Sequence, residues 1–75
     1  MKGLPMLKKE VAIDVLLPES RCIYFFASTD AAEEFRSFGR LRPDVGARQY
    51  YCLWVDARYN FDEVLAYIQN YDKEP

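Results

Sequence analysis

The chain of 75 residues contains no histidine, only three glycines and only two cysteines. Without histidine it lacks the side chain that most often acts as a general base near neutral pH and most often binds metals. It has no CxxC motif or Cys/His cluster, which argues against a structural zinc site. No apolar run approaches the ~20 residues that cross a membrane. The sequence therefore predicts no cofactor, no metal and no membrane partner, and it disfavours an enzyme.

The first residues and the cysteine content bear on the compartment. Residues 1–5 lack the long apolar stretch of a signal peptide, and two cysteines are too few for a secreted disulfide scaffold of this size. We therefore expect a cytoplasmic protein in which Cys22 and Cys52 are reduced and pack as small apolar side chains. Residues 1–7 are predicted to form a flexible N-terminal arm, and residues 8–75 a single small α/β domain.

The high hydrophobic content and the low net charge favour a folded chain. Half of the residues (51%) are hydrophobic, 16% are aromatic, and the net charge is only −2, which does not fit a disordered chain. A domain this short buries only about 60% of the surface that its unfolded chain exposes. Because small domains commonly need further support, we expect oligomerisation.

The first element has two interpretations. Apolar and polar residues alternate over residues 9–17, which places Val11, Ile13 and Val15 on one face of a half-buried strand. A helix is the alternative, since Leu7, Val11 and Val15 lie four residues apart. The β-branched side chains favour the strand.

The later elements are bounded by turn and cap signals. Asp30 and Asn60 each precede a glutamate by three residues, the spacing of a capping box, with Ser28 or Thr29 as alternative caps of the first helix. Gly39 is a natural helix stop. The predicted elements are a turn at 18–20, a strand over 21–27, a helix over 31–39, a loop over 40–48, a strand over 49–56 and a helix over 61–71.

The order strand–strand–helix–strand–helix predicts an α/β domain, with α+β as the alternative. We expect a small three-stranded sheet with both helices on one face, because both helices need a core and the sheet is small. Residues 21–56 form a strand–helix–strand unit, and if its strands are parallel the crossover is right-handed.

Even-numbered aromatic residues of the second and third strands then share one sheet face. These are Tyr24, Phe26, Tyr50 and Trp54. If both helices cover the other face, this one is a candidate interface between copies of the chain, since exposed apolar patches mark partner sites. It is alternatively a stacking platform for bases. In the third interpretation it is ordinary core, covered by a helix or by the N-terminal arm.

An arginine-rich segment supplies the positive charge. Arg36, Arg40, Arg42 and Arg48 face only one acidic residue in residues 36–48, a local charge of +3. Residues 56–75 carry a local charge of −3. Three interpretations of these arginines are open. They are simply solvated, they contact the phosphates of a nucleic acid or a small anion, or they pair with the acidic second helix of a neighbouring subunit.

A candidate ligand edge follows from the helix starts. Ser28, Thr29 and Asp30 follow the second strand, while Asp56 and Arg58 follow the third. In an open α/β sheet both junctions lie at the same carboxyl edge, where ligands bind. Helix capping alone also explains these residues.

The sequence thus favours a non-enzymatic interaction or adaptor protein. We expect it to self-associate through the aromatic strand residues, with a dimer favoured, and to bind a protein partner. The alternative is a module that binds nucleic acid or a small anionic ligand through the arginine segment and the aromatic residues.

Overall fold

The computed structural model describes residues 11–71. The predicted arm over residues 1–7 and the expected start of the first strand at Lys9 lie outside the described residues. The elements are β1 (Val11–Leu17), β2 (Cys22–Ala27), α1 (Thr29–Phe35), β3 (Gly39–Pro43), β4 (Tyr50–Val55) and α2 (Phe61–Gln69).

The described chain forms one sheet of four strands in the order β1-β2-β4-β3. The mixed α/β class is confirmed, but the expectation of three strands is wrong because Gly39–Pro43 is a strand rather than a loop. Leu41 is buried there between the exposed Arg40 and Arg42. A single buried residue between two charges is a weak strand signal, and charged residues are common on edge strands.

Neighbouring strands are antiparallel throughout the described sheet. The predicted strand–helix–strand unit therefore does not join two neighbouring parallel strands. The chain leaves β2 through α1, enters β3 at the edge, and returns by a hairpin into β4 between them. The extra strand reverses the direction of β4, which moves its carboxyl end to the opposite end of the sheet.

Both helices contribute to one apolar core with the odd-numbered side chains of the sheet. Aromatic packing extends this core, since the rings of Phe25 and Phe35 meet at 5.5 Å. The buried core residues from the strands are Val11, Ile23, Phe25, Ala27, Leu41, Leu53 and Val55, and those from the helices are Ala31, Ala32, Phe35, Val64 and Ile68.

A register shift in β1 separates Ile13 from Val15. Ile13 pairs with Phe25 on the core side, whereas Val15 pairs with Tyr24 and is 44% exposed. The prediction that Val15 belongs to the core is therefore wrong, because one extra residue in a strand moves every later side chain to the other face.

The helix caps agree with the predicted capping box at α2 but not at α1. Ser28 Oγ accepts a hydrogen bond from the Ala31 N–H at 3.2 Å and caps α1, so the cap is the alternative Ser28 rather than Asp30. Asn60 Oδ1 accepts from the Glu63 N–H at 3.0 Å, which confirms the predicted cap of α2.

Gly39 follows a 3₁₀ turn over Arg36–Phe38 and begins β3. A Cβ atom at this position would lie 2.0 Å from the Trp54 carbonyl oxygen and 2.8 Å from the Asp56 nitrogen. The absence of a side chain therefore lets β3 approach β4.

Arg21 connects the start of β2 to the chain that leaves β4. Its backbone is left-handed, with φ of 54°, and its own carbonyl accepts from the Val55 N–H at 2.8 Å. Its guanidinium donates to the carbonyl oxygens of Val55 (3.1 Å), Asp56 (2.8 Å) and Tyr59. One side chain thus holds three carbonyls of the β4–α2 connection.

Candidate interaction face

The sheet surface opposite the helices carries Tyr24, Phe26, Tyr50 and Trp54, and we name it the aromatic face. In the β2–β4 register Phe26 lies opposite Tyr50, and Cys22 lies opposite Trp54. Side chains of directly opposed residues share a face. All four aromatic side chains are half-buried, and both described helices pack on the other side. The structure thus brings the four predicted interface residues onto one surface.

Three rings of this face, those of Tyr24, Phe26 and Tyr50, contact each other. Tyr24 and Tyr50 are stacked, with centroids 5.2 Å apart and planes 22° from parallel. Phe26 meets Tyr50 edge to face at 5.5 Å. Mutual packing accounts for their partial burial and holds their rings in a fixed arrangement.

The bulge in β1 adds aliphatic side chains to the same face. Val15 lies opposite Tyr24, and Leu17 lies opposite Cys22. Leu17 is 49% exposed. The face is therefore apolar from the β1 edge as far as β4, a wider apolar area than the aromatic residues alone provide.

The four candidate arginines do not form one cluster, because only some of them lie on the aromatic face. Arg40 lies opposite Trp54, and its guanidinium carbon is 5.6 Å from the centre of the indole ring, a cation–π contact. Arg42 lies opposite Cys52 and shares this face. Arg36 instead pairs with Glu33 at 3.0 Å beside α1, and Arg48 is exposed in the β3–β4 loop. Only two of the four candidate arginines thus join the aromatic face.

Asp44 ties the β3–β4 loop to the aromatic face. The Tyr24 hydroxyl donates a hydrogen bond to its carboxylate, which also accepts from the Gly46 N–H at 2.9 Å. The hydrogen bond to Asp44, followed by burial, raises the pKa of Tyr24 to about 12. The Tyr24 hydroxyl and then the Gly46 N–H lower the pKa of Asp44. A negative charge therefore persists at this end of the face.

The two cysteines are unpaired thiols on the aromatic face. Cys22 is only 4% exposed, and burial, followed by the nearby Cys52 thiol, raises its pKa. A raised pKa disfavours the thiolate, which is the nucleophilic form. The geometry thus supports packing rather than nucleophilic chemistry at Cys22.

The candidate ligand edge is not formed as one site. The Ala27 N–H donates to Gln49 at one end of β4, whereas the Val55 N–H donates to Arg21 at the other end. Since β2 and β4 are antiparallel, residues 28–30 and residues 56–58 lie at opposite ends of the sheet.

Local hydrogen bonds occupy Ser28 and Asp56 among these candidate ligand residues. Ser28 caps α1, and Thr29 and Asp30 are exposed in its first turn. The Asp56 carboxylate accepts from the Arg58 N–H at 3.0 Å and lies 3.8 Å from the Arg58 guanidinium.

Sequence reasoning missed three contributors to the aromatic face. Val15 and Leu17 reach it through the bulge, for which the sequence of β1 gives no local signal. Asp44 had one, since an aspartate two residues before a glycine is typical of a turn in which the carboxylate accepts a backbone N–H.

No helix within residues 11–71 has the length and apolar character that crossing a bilayer requires. The same part of the chain contains no group of three or more acidic, cysteine or histidine side chains that could hold a metal ion. No family model matches the chain, and comparisons with curated proteins and with solved structures find no match. We therefore infer the function from the geometry of the two sheet faces.

Proposed function

We propose that the protein is a non-enzymatic interaction domain in which two copies pack through their aromatic faces, and that the pair binds a further protein partner. The observation that carries this proposal is the aliphatic and aromatic face that neither helix of residues 11–71 covers, which extends from Leu17 on β1 to Trp54 on β4. Contiguous exposed apolar surface on a small domain is typical of a partner site.

The exposure of β1 supports the position of the contact. Val15 and Leu17, which share the aromatic face, are two of the large hydrophobic residues most exposed to solvent in the described chain. Packing the β1–β2 half of one copy against the same half of another removes Val15 and Leu17 from water together with the rings of Tyr24 and Phe26. Such a contact has an apolar centre, as stable interfaces do.

The charges on the face favour an offset arrangement. Arg40 and Arg42 lie on β3, at the opposite edge from β1, so the β1–β2 contact leaves them at its rim, where they remain hydrated. Asp44 is the acidic group beside the same face. The acidic helix α2 packs on the other side of the sheet, so this arrangement does not bring it to the arginines.

Fluorescence of Trp54, the one tryptophan of the chain, tests the proposal. Trp54 lies opposite Cys22 on the strand next to β2, at the border of the proposed contact. We therefore expect the emission to shift to longer wavelengths as the protein is diluted from high micromolar to nanomolar concentration, because the indole becomes more hydrated. Leu17→Asn removes half-exposed aliphatic surface from the contact and shifts the dilution midpoint to higher concentration.

Val45→Asn is the matched control, since Val45 is fully exposed (104%) in the β3–β4 loop. It leaves the midpoint unchanged. Equal midpoints for Leu17→Asn and Val45→Asn would contradict the proposed surface. If residues 1–7 of the same chain covered the face, the emission of Trp54 would not depend on concentration.

A second candidate function is binding of single-stranded nucleic acid. The observation that favours it is the register that places Arg40 opposite Trp54 and Arg42 opposite Cys52 on the aromatic face. Arginines with aromatic rings are the usual combination for contacting phosphates and stacking bases.

The two functions are separated by an oligonucleotide titration at low salt. The measured quantity is the slope of the logarithm of the binding constant against the logarithm of the salt concentration. Replacing Arg40 and Arg42 with glutamine is expected to reduce the magnitude of this slope by about 1.4, at about 0.7 per phosphate contact on a single strand. Arg36→Gln is the control, because Arg36 pairs with Glu33 beside α1. Absence of binding at low salt, or equal loss in both variants, excludes this function.

A further inference from the structure

A groove with three aromatic rings lies on the helix side of the molecule, apart from the aromatic face. Phe38 precedes β3, Tyr59 lies in the β4–α2 connection, and Tyr67 belongs to α2. The groove has a volume of about 210 Å³, and Glu63 and Val64 also line it. Phe38 and Tyr59 pack against the core, so their rings are fixed by the fold.

The three rings stand in different planes. Phe38 and Tyr59 have centroids 5.6 Å apart and planes at 87°. Phe38 and Tyr67 have centroids 5.3 Å apart and planes at 74°. Phe38 contacts both tyrosine rings, and all three residues line the same small volume, so an organic cation in the groove is within reach of more than one electron-rich ring.

Glu63 adds a negative charge to the groove. Its backbone N–H donates to the Asn60 cap, while its exposed carboxylate forms no ion pair with any residue between 11 and 71. Asp62 is the adjacent acidic residue in the first turn of α2. These two charges offset the partial positive charge at the start of the helix.

Arg58 shows that a cation is attracted to one of these rings. Its guanidinium carbon lies 5.3 Å from the centre of the Tyr59 ring, and Asp56 lies 3.8 Å from the guanidinium. Arg58 does not line the groove. Its charge opposes a second cation near Tyr59, and the Asp56 carboxylate reduces that repulsion.

From this geometry we propose that the groove binds the methylated ammonium group of a lysine side chain on a partner protein. A methylated ammonium is bulkier and less strongly hydrated than the compact ammonium of lysine, so it loses less hydration on entering an aromatic groove. The carboxylate of Glu63 distinguishes it from a neutral group of the same shape.

The surroundings of the groove favour a peptide as the source. Tyr67 is 48% exposed, so the groove opens to solvent. A wider cavity of about 470 Å³ adjoins it along α2 and shares Glu63 and Tyr67 with it. A chain that carries the modified lysine has space there for its neighbouring residues, which a free quaternary amine would leave empty.

The test is an NMR titration of the full chain that follows the ring signals of Tyr59 and Tyr67. The probes are a short peptide with trimethyllysine, the same peptide with lysine, and the same peptide with a neutral tert-butyl group in place of the trimethylammonium. We expect the trimethyllysine peptide to bind at least about tenfold more tightly than the neutral one.

Two variants and one further probe complete the test. Glu63→Gln weakens binding of the trimethyllysine peptide about fivefold, whereas the adjacent Asp62→Asn has a smaller effect. Equal binding of the charged and neutral peptides, or no shift of either ring at millimolar peptide, would overturn the proposal. Trimethyllysine amide without the flanking residues binds more weakly, and equal affinity for amide and peptide would overturn the assignment to a protein partner.

Discussion

Arg21→Lys tests the connection that holds the end of β4 to the start of α2. Lysine keeps the positive charge, the aliphatic chain and the left-handed backbone of the wild type, so those contributions cancel in the comparison. It lacks the planar group that donates to three carbonyls of the connection, those of Val55, Asp56 and Tyr59. An ammonium at this position reaches one of them.

The expected loss follows from the number of hydrogen bonds. Two of the three bonds are lost, at about 1 kcal/mol each, so the free energy of unfolding falls by about 2 kcal/mol. For a domain of this size each kcal/mol changes the melting temperature by about 4–8 °C, which gives a fall of about 8–16 °C. Calorimetry measures the melting temperature, and urea unfolding gives the free energy.

Arg48→Lys is the control for Arg21→Lys. Arg48 is exposed in the β3–β4 loop, so its replacement should change the free energy of unfolding by less than about 0.5 kcal/mol. If Arg21→Lys were as stable as Arg48→Lys, the three hydrogen bonds would contribute nothing and the reasoning would be refuted.

Three further predictions concern Gly39 at the start of β3 and the hydrogen bond between Tyr24 and Asp44. Gly39→Ala should lower the free energy of unfolding by about 3 kcal/mol, because the added Cβ would meet the Trp54 carbonyl. Gly46→Ala is the control, since the nearest atom to a Cβ there would be 3.7 Å away, and urea unfolding should show little change for it. Tyr24 should titrate near its raised pKa of about 12 in the ultraviolet difference between wild type and Tyr24→Phe, and its midpoint should fall in Asp44→Asn; an unchanged midpoint would contradict the hydrogen bond. The ionised Asp44 stabilises the fold above the ordinary carboxyl pKa of 3.8, and this stabilisation is lost as pH falls through the lowered pKa of Asp44. The protonated Tyr24 hydroxyl stabilises the fold below pH 10, and this stabilisation is lost as pH rises through its pKa of about 12.

The sequence predicts the sheet face well where alternation is uninterrupted. Tyr24 and Phe26 on β2, and Tyr50 and Trp54 on β4, share one face because both strands keep a regular period of two. The prediction fails for Val15 because a bulge changes the parity of β1, and bulges depend on how two strands fit together rather than on one segment.

The missed strand has a larger consequence than its length suggests. Gly39–Pro43 holds one buried residue, Leu41, between Arg40 and Arg42, which local patterning does not separate from a loop. Once this strand is present, β4 must return antiparallel to β2. The candidate ligand edge is then divided between two ends of the sheet, while Arg40 and Arg42 join the aromatic face.

Sedimentation equilibrium of the wild-type chain, up to high micromolar concentration, tests the central claim most directly. The aromatic face, with Leu17 and Val15 beside it, predicts a reversible association whose average mass rises toward twice that of the 8.8 kDa chain. A mass that remains that of one chain over the whole concentration range would contradict the claim.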